Sequence, residues 1–201
     1  MELSFPWNLA LFGFINAPEG ANDAVVLIAK AFAVFSPWLV IGILVWRWFS
    51  GSIEIRRSLM IAGIALGLGL VVNFSIAFLI YVPRPFEMGI GNSLLSHGLE
   101  TSFPSDHVTF LLSLGFALLF TRTLRWYGGV ISGLGIVVAW ARIYLGVHFP
   151  LDMAASFLIA FFAALIARAL SEKLDEVFFQ PVERINTTLL KLIFRNNIKR
   201  R

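Results

Sequence analysis

Two long runs of apolar residues constrain this chain more than any other feature of its sequence. They cover about residues 24–48 and 57–82, and each exceeds the ~20 residues that a helix needs to cross ~30 Å of hydrocarbon. Three shorter runs, near 105–121, 126–146 and 149–168, reach that length only with their polar ends included. With 58% hydrophobic and 14% charged residues, the chain carries more apolar surface than a soluble core absorbs. We therefore predict an all-α polytopic membrane helix bundle with about five spanning helices.

The two ends of the chain flank this bundle and differ in character. Residues 5–16 form a short apolar run that follows no Lys or Arg, which is atypical of a cleaved signal and predicts an interfacial helix. The basic tail, 171–201, repeats apolar residues between charged ones, which predicts an amphipathic helix on an anionic leaflet. The residues of that repeat are Ile185, Leu189 and Ile193. Because no internal repeat or linker divides the sequence, we expect a single domain over 1–201.

Basic residues are distributed unequally among the predicted loops. Thirteen of the sixteen Lys and Arg residues fall on one side, in the loops 47–57 and 122–125 and from Arg168 to the C-terminus. The other three are Lys30, inside the first span, Arg84 and Arg142. Because Lys and Arg are retained on the cytoplasmic side, we predict that the N-terminus and the span ends with Arg84 and Arg142 face outward.

Two pairs of glycines repeat at a spacing of four residues inside the predicted spans. Gly63 and Gly67 belong to the second span, and Gly129 and Gly133 belong to the fourth. Small residues at this spacing let helix backbones approach closely. We therefore predict that these pairs mark helix contacts and take no part in chemistry.

Ionisable and hydroxyl side chains are concentrated at the outer ends of the predicted spans. Because consecutive spans alternate in direction, these ends meet on one membrane face. A charged group costs ~2.5–3.5 kcal/mol at the bilayer centre, so such a set indicates a functional site. The set consists of Arg84, which ends the second span, Ser105, Asp106 and His107, which begin the third, Arg142, which ends the fourth, and His148 and Asp152, which begin the fifth.

These residue types are suited to binding a phosphate ester. Pro104 before Ser105 is a helix-start signal, and the free N–H groups of a helix start bind phosphate. The Ser105 hydroxyl adds a hydrogen bond. Arg84 and Arg142 carry a permanent charge on a planar fork that matches phosphoryl oxygens. We therefore predict a phosphate site formed by Arg84, Ser105 and Arg142, with Asp106 as a further substrate-binding residue.

The remaining residues predict how the phosphate is transferred. His148 and Asp152 lie one helical turn apart, so the carboxylate can hydrogen-bond one ring nitrogen and leave the other as a nucleophile of fixed tautomer. Attack by His148 would give a phosphohistidine, while His107 protonates the leaving oxygen and later activates water. The absence of cysteine excludes thiolate chemistry. We expect no cofactor and no nucleic-acid partner.

Two other functions are compatible with the same residues. Asp106, Asp152 and the histidines are possible metal ligands, although magnesium usually wants more clustered carboxylates and the arginines would repel it. A lipid headgroup binder or transporter can use the same basic cluster, but transport requires polar residues that continue to the cytoplasmic side. His97 and Glu100 lie in the loop 86–103 without partnered spacing, and we interpret them as exposed loop residues.

Three motifs in this set resemble a known family. Pro83-Arg84-Pro85, the run SFPSDH at 102–107, and Arg142 followed by His148 and Asp152 resemble the signature motifs of the type 2 phosphatidic acid phosphatase superfamily. The resemblance covers about residues 77–152, the motif core. Within the superfamily, the sequence looks like the bacterial undecaprenyl-diphosphatases of the bacitracin-resistance type.

The resemblance implies a function, a location and a role for each motif residue. It implies a metal-independent phosphatase of the bacterial inner membrane that converts undecaprenyl diphosphate to the monophosphate at an outward-facing site, and so recycles the carrier for cell-wall polymers. Phosphatidylglycerol phosphate, phosphatidic acid and lipid A remain alternative substrates, because the motifs bind phosphoryl groups and do not read the lipid tail. The implied roles are nucleophile for His148, its orienting partner for Asp152, acid for His107, and phosphate ligands for Arg84, Ser105 and Arg142.

One position departs from the pattern of the superfamily. Its first motif begins with a lysine seven residues before the motif arginine, where this chain has Ala77. Lys30 lies at a similar depth below the outer face at ~1.5 Å per residue. We predict that Lys30 replaces the missing cation in substrate binding, with a snorkelling or carbonyl-paired lysine as the alternative.

Overall fold

The chain is described by a computed structural model that covers residues 5–96 and 98–188, and within these ranges it is helical without strands. The prediction of an all-α fold is confirmed. In chain order the helices are α1 (Pro6–Ile15), α2 (Asp23–Ser50), α3 (Ile53–Leu79), α4 (Asp106–Leu119), α5 (Arg125–Tyr144), α6 (Pro150–Ala169) and α7 (Ser171–Leu174). A 3-10 helix, Pro85–Met88, lies between α3 and α4. A π-helical turn, Asp175–Phe179, joins α7 to a helical segment over 180–188.

Four of these helices are long and apolar enough to cross a membrane, namely α2, α3, α5 and α6. The predicted third span, 105–121, forms α4, which has only 14 residues and a length of ~21 Å at ~1.5 Å per residue. It packs against α3, α5 and α6, and most of its residues are buried. Neighbouring helices therefore bury most of α4 within the protein, and such burial is how a short helix is tolerated at membrane depth.

Close backbone contact occurs at glycines other than the predicted pairs. A Cβ at Gly128 would lie 2.7 Å from the Leu118 carbonyl carbon, and a Cβ at Gly115 would lie 2.8 Å from the Ser132 nitrogen. The backbones of α4 and α5 therefore touch through these two glycines. The predicted helix contacts at Gly63, Gly67 and Gly133 are wrong, because glycine spacing does not reveal which face of a helix meets a partner. A Cβ would meet no atom within 4 Å at three of the four predicted glycines, Gly63, Gly67 and Gly133.

α1 lies against the connection between α5 and α6. Phe12 is fully buried, and its ring centroid lies 5.2 Å from that of Phe149. The Ala17 N–H donates to the Tyr144 carbonyl over 3.0 Å. The short N-terminal helix predicted over 5–16 is thus present, and it packs at the end of the bundle where α5 ends and α6 begins.

The C-terminal segment 171–188, which we call the tail helix, packs at the opposite end of the bundle, beside the start of α3. Arg56 forms an ion pair with Glu183 at 2.7 Å, and Arg57 forms one with Asp175 at 2.6 Å. The predicted apolar repeat is represented by Ile185, which is exposed. Leu189 and Ile193 lie outside the described residues. The tail helix is therefore attached to the first turn of α3, within the basic stretch 47–57 that the charge pattern assigns to the cytoplasmic side.

Candidate active site

The polar residues singled out in the sequence are brought together where α3 and α5 end and α4 and α6 begin. Contacts between side chains join segments far apart in the chain, from Arg84 to His148 and from Ser102 to Asp152. Arg84, Ser105, Arg142, His148 and Asp152 are each at most 3% exposed. The group therefore forms one buried polar centre at the end of the bundle away from the tail helix.

His148 lies in the middle of this centre, and its contacts determine its tautomer. Its Nε2 is 3.2 Å from Nη1 of Arg84 and 3.2 Å from Nη2 of Arg142. Because a guanidinium can only donate, Nε2 must accept, and the proton of a neutral ring then resides on Nδ1. The Nδ1 atom is 3.2 Å from Oδ2 of Asp152. The Nε2 lone pair is thus directed toward two guanidinium groups.

Asp152 is held by hydrogen bonds on a single carboxylate oxygen. Its Oδ2 accepts from the Phe149 N–H at 2.8 Å, from the Ser102 hydroxyl at 2.5 Å and from His148 Nδ1. The first of these closes the first turn of α6, which begins at Pro150 as the sequence predicts. The local fold of the helix start and the orientation of the His148 ring therefore depend on the same oxygen atom.

Arg84 is fixed by backbone carbonyl groups from two parts of the chain. Its Nε donates to the Glu100 carbonyl at 3.1 Å, its Nη2 to the Thr101 carbonyl at 3.2 Å and its Nη1 to the Val147 carbonyl at 2.9 Å. Burial lowers the pKa of Arg84, and nearby carboxylates, Asp106 and Asp152 foremost, oppose that effect. The guanidinium is consequently held in place beside Nε2 of His148.

Arg142 reaches the centre from the last turn of α5. The chain then turns through Gly146, whose φ of +76° favours glycine and whose Cα faces the Asn92 carbonyl. The Val147 N–H donates to the Arg142 carbonyl at 3.1 Å and closes the turn. Two guanidinium groups at one ring nitrogen repel each other, so the carboxylates of Asp106 and Asp152 are needed nearby to balance them.

The start of α4 provides a hydroxyl group that is buried without a partner. Ser105 is the N-cap residue of α4 and is 0% exposed, and its Oγ makes no hydrogen bond with the described residues. Its carbonyl oxygen accepts from the Ser156 hydroxyl on α6 at 2.9 Å. A buried hydroxyl without a partner costs ~1–3 kcal/mol, and a phosphoryl oxygen would remove that cost.

His107 and Asp106 form a second histidine–carboxylate pair at the edge of the centre. Nδ1 of His107 is 2.8 Å from Oδ1 of Asp106, and the same oxygen accepts from the His107 N–H at 2.8 Å. The His107 side chain is half-buried, in contrast to His148. The Asp106 carboxylate therefore accepts one N–H of the first turn of α4. It also holds the His107 ring through Nδ1, which leaves Nε2 as the ring nitrogen that points away from Asp106.

An apolar cavity of about 160 Å³ adjoins this pair. It lies between α2, α3 and α4, and Asp106 and His107 form its polar end. The apolar lining consists of Pro37, Leu70, Phe74 and Phe110. The half-buried histidine thus faces a space that suits hydrocarbon, whereas His148 is enclosed by polar groups.

Several contributors to the site were not assigned by sequence reasoning. Ser102, which is 0% exposed, binds Asp152, and the carbonyl groups of Glu100 and Thr101 hold Arg84. Ser102 belongs to the SFPSDH run, but nothing in the spacing of that run indicates that its hydroxyl faces a residue 50 positions later. Glu100, interpreted as an exposed loop residue, supports Arg84 through its backbone. His97 lies outside the described residues.

The proposed substitute cation, Lys30, is half-buried on α2. Its neighbour Ala29 is fully buried against a cluster that contains Ala141, the residue before Arg142. Among the described residues, Lys30 makes no hydrogen bond or ion pair with a member of the polar centre. Its role in substrate binding therefore stays a prediction.

The described carboxylates and imidazoles of this centre are not grouped as metal ligands. Within residues 5–96 and 98–188, no group of three His, Asp or Glu side chains is arranged to hold a metal ion. Asp152 is engaged with Ser102 and Phe149, and Asp106 is engaged with His107. The centre brings together the His148 imidazole, two guanidinium groups, the Ser105 hydroxyl and a second imidazole, and groups of these types can bind and transfer a phosphoryl group.

The chain is similar to several known proteins. The sequence model of the PAP2 superfamily matches residues 58–176. The chain is 34% identical to YbjG of Escherichia coli over 88% of each chain, and 30% identical to the undecaprenyl-diphosphatase BcrC of Bacillus subtilis over 76% of this chain and 78% of that protein. The crystal structure of Aquifex aeolicus LpxE superposes with a TM-score of 0.70 and 22% identity, covering 84% of this chain and 99% of that one. The last comparison shows the fold alone.

Proposed function

The chain belongs to the PAP2 superfamily, and from this premise we propose that it is a membrane phosphatase that hydrolyses undecaprenyl diphosphate to undecaprenyl phosphate. The observation that carries the proposal is the position of His148, whose Nε2 lies 3.2 Å from both Arg84 and Arg142 while Nδ1 lies 3.2 Å from Asp152. Proteins named undecaprenyl-diphosphatase are 30% identical to the chain over most of its length, which supports this substrate.

The first half-reaction forms a bond between His148 and phosphorus. The terminal phosphoryl group binds between the two guanidiniums and the Ser105 hydroxyl, which neutralise charge on its oxygens. The Nε2 lone pair attacks phosphorus, the bond from phosphorus to the bridging oxygen breaks, and undecaprenyl phosphate leaves. His107 Nε2 donates a proton to that leaving oxygen. Asp152, supported by Ser102, stabilises the positive charge that develops on the His148 ring.

The second half-reaction reverses the role of His107. Its neutral ring takes a proton from water, the water oxygen bonds to phosphorus, and the bond from phosphorus to His148 Nε2 breaks to release inorganic phosphate. Because the Asp106 carboxylate contacts His107, Asp106 orients His107 in this scheme, and its part in substrate binding stays a prediction. The apolar cavity beside His107 suits the first part of the polyprenyl chain, since the lipid lies on the leaving-group side.

Turnover measurements test this function directly. Purified parent protein and the His148→Ala variant are given undecaprenyl diphosphate in excess chelator, and inorganic phosphate is measured. We expect rapid release by the parent and a fall of many powers of ten in the variant, with an unchanged melting temperature as the control for folding. Loss of parental activity in chelator would favour the metal-dependent alternative. Retained turnover by His148→Ala would exclude His148 as the nucleophile.

Parallel assays separate the alternative functions. Phosphatidylglycerol phosphate, phosphatidic acid and phosphorylated lipid A are tested at matched concentrations, and we expect the highest kcat/KM with undecaprenyl diphosphate. A higher kcat/KM with one of the other three lipids would change the assigned substrate but not the assigned phosphatase reaction. Binding of all four lipids without any phosphate release would favour a headgroup binder or transporter.

The location of the site is a further part of the proposal. The family resemblance implies the bacterial inner membrane, and the charge pattern of the loops favours a centre that faces outward, toward the periplasm. The chain has no cysteine, so single introduced cysteines can report on its orientation in the membrane. Leu99 lies on the side of the polar centre, and Trp126 lies at the start of α5. Both side chains are about 80% exposed. We expect a membrane-impermeant thiol reagent to label Leu99→Cys in intact cells and to spare Trp126→Cys. The reverse pattern would contradict the orientation.

A further inference from the structure

α1 contributes no charged residue, yet its two faces differ sharply in environment. Its sequence is PWNLALFGFI. Trp7, Leu11 and Phe14 are exposed, with Phe14 at 87%. Asn8 and Phe12, one helical turn apart, are almost fully buried. An exposed aromatic face without charge suits the membrane interface, so the buried face must account for the specific position of this helix.

The buried face contacts the start of α6, which carries the orienting carboxylate. Asn8 Oδ1 accepts from the Leu151 N–H at 2.9 Å. Leu151 is in the first turn of α6, where N–H groups have no partner within the helix. Pro150 has no N–H, and the Phe149 N–H donates to Asp152. Asn8 therefore performs the function of an N-cap residue from another part of the chain.

Phe12 of α1 and Asn16, the residue that follows α1, hold the other side of the same connection. The ring of Phe12 packs on Phe149, the residue after His148, with a centroid distance of 5.2 Å. Asn16 Nδ2 donates to the Tyr144 carbonyl at 3.1 Å and to the Asn92 carbonyl at 3.0 Å. The segment from Tyr144 to Asp152 thus contacts α1 and Asn16 through Tyr144, Phe149 and Leu151. It contacts Arg84 and Ser102 through His148 and Asp152.

We propose that α1 positions the nucleophile, and that Asn8 is the residue through which it acts. Asn8 does not touch the reacting atoms. It fixes the first turn of α6, and that turn sets the distance between Asp152 and the His148 ring and aims Nε2 at phosphorus. Displacement of a catalytic group by ~1 Å can cost ~100-fold in rate. This inference rests on the proposed phosphatase function for its kinetic consequence, but its structural consequence is independent of substrate.

The kinetic experiment compares three variants of the full-length protein in undecaprenyl diphosphate turnover. Asn8→Ala removes the acceptor, and Asn8→Asp keeps an acceptor oxygen of the same length. Asn22→Ala is the matched control, because Asn22 Oδ1 accepts from the Ala24 N–H at 2.9 Å at the start of α2. We expect Asn8→Ala to lower kcat by about 10- to 100-fold with KM within twofold, Asn8→Asp to recover most of that loss, and Asn22→Ala to keep the parental kcat.

A second readout does not require turnover. Hydrogen exchange of the peptide that covers 145–152 should accelerate in Asn8→Ala relative to the parent and to Asn22→Ala, and should return toward the parental rate in Asn8→Asp. Equal exchange in Asn8→Ala and the parent would overturn the positioning role even if the parent proved inactive on this lipid. With an active parent, kcat for Asn8→Ala equal to that of Asn22→Ala would overturn it as well. An inactive parent with faster exchange in Asn8→Ala would refute the proposed function alone.

Discussion

Removal of the Ser102 hydroxyl tests whether Asp152 is an active part of the site. Ser102→Ala deletes the 2.5 Å hydrogen bond to Oδ2 and the 3.4 Å contact of the hydroxyl with His148 Nδ1, and it leaves the bonds from Phe149 and His148 to Oδ2 in place. A hydrogen bond to a charged group is worth ~1.5–3 kcal/mol, and each ~1.4 kcal/mol corresponds to tenfold in rate. If the bond acts mainly through the orientation of the His148 ring, kcat should fall by roughly 10- to 100-fold.

The size of this effect relative to other variants is as informative as its direction. KM should change little, because the Ser102 hydroxyl is engaged with Asp152, and Asp152→Ala should be slower than Ser102→Ala. Ser113→Ala is the matched control, since Ser113 is also fully buried but its Oγ makes no hydrogen bond with the described residues. The assay is initial-rate phosphate release over a range of undecaprenyl diphosphate concentrations. Parental kcat in Ser102→Ala, or an equal loss in Ser113→Ala, would refute the reasoning.

Two further perturbations test the scaffold around the site. Gly146→Ala would place a Cβ against the Asn92 carbonyl oxygen in a backbone conformation with φ of +76°. This should destabilise the protein by ~1–3 kcal/mol and lower its melting temperature, whereas Gly133→Ala, with open space around it, should leave the melting temperature unchanged. Equal melting temperatures of the two variants would contradict the tight turn at Gly146. Arg56 holds the pKa of Glu183 below its usual value. The ion pair therefore stabilises the attachment of the tail helix fully at pH values above the ordinary glutamate pKa. That contribution is lost as the pH falls through the lowered pKa of Glu183. Limited proteolysis should therefore cleave the tail of Glu183→Gln faster than that of the parent at neutral pH and equally fast in strong acid, and cleavage of both proteins at one rate at neutral pH would contradict this.

The general architecture was accessible from the sequence because hydrophobic length and helix direction are strong constraints. Runs of more than 20 apolar residues predicted α2 and α3, and alternation of direction predicted that the polar ends meet. Pro104 and Pro150 marked the starts of α4 and α6 within a residue or two. The spacing of His148 and Asp152 predicted their contact, because a helical turn brings such residues together.

Details that depend on which face of a helix meets which neighbour were not accessible. Glycine spacing did not predict that Gly115 contacts a neighbouring helix and Gly63 does not, because spacing gives no information on the rotation of each helix about its axis. The hydroxyl of Ser102 and the carbonyl groups that hold Arg84 act across long sequence separations, and no local pattern predicts such contacts. The support that α1 gives to α6 belongs to the same class, since Asn8 and Leu151 are 143 positions apart.

The central claim is that His148 Nε2 forms a covalent bond to phosphorus, and the most direct measurement of it is chemical trapping of the intermediate. Undecaprenyl diphosphate labelled with phosphorus-32 on its terminal phosphate is mixed with the enzyme and quenched in alkali within the first turnover. We predict protein-bound label that survives alkali, is lost in acid and maps to the peptide with His148, and we predict none in His148→Ala. Label on the peptide with His107, or a parent enzyme that turns over without any trapped label, would contradict this account.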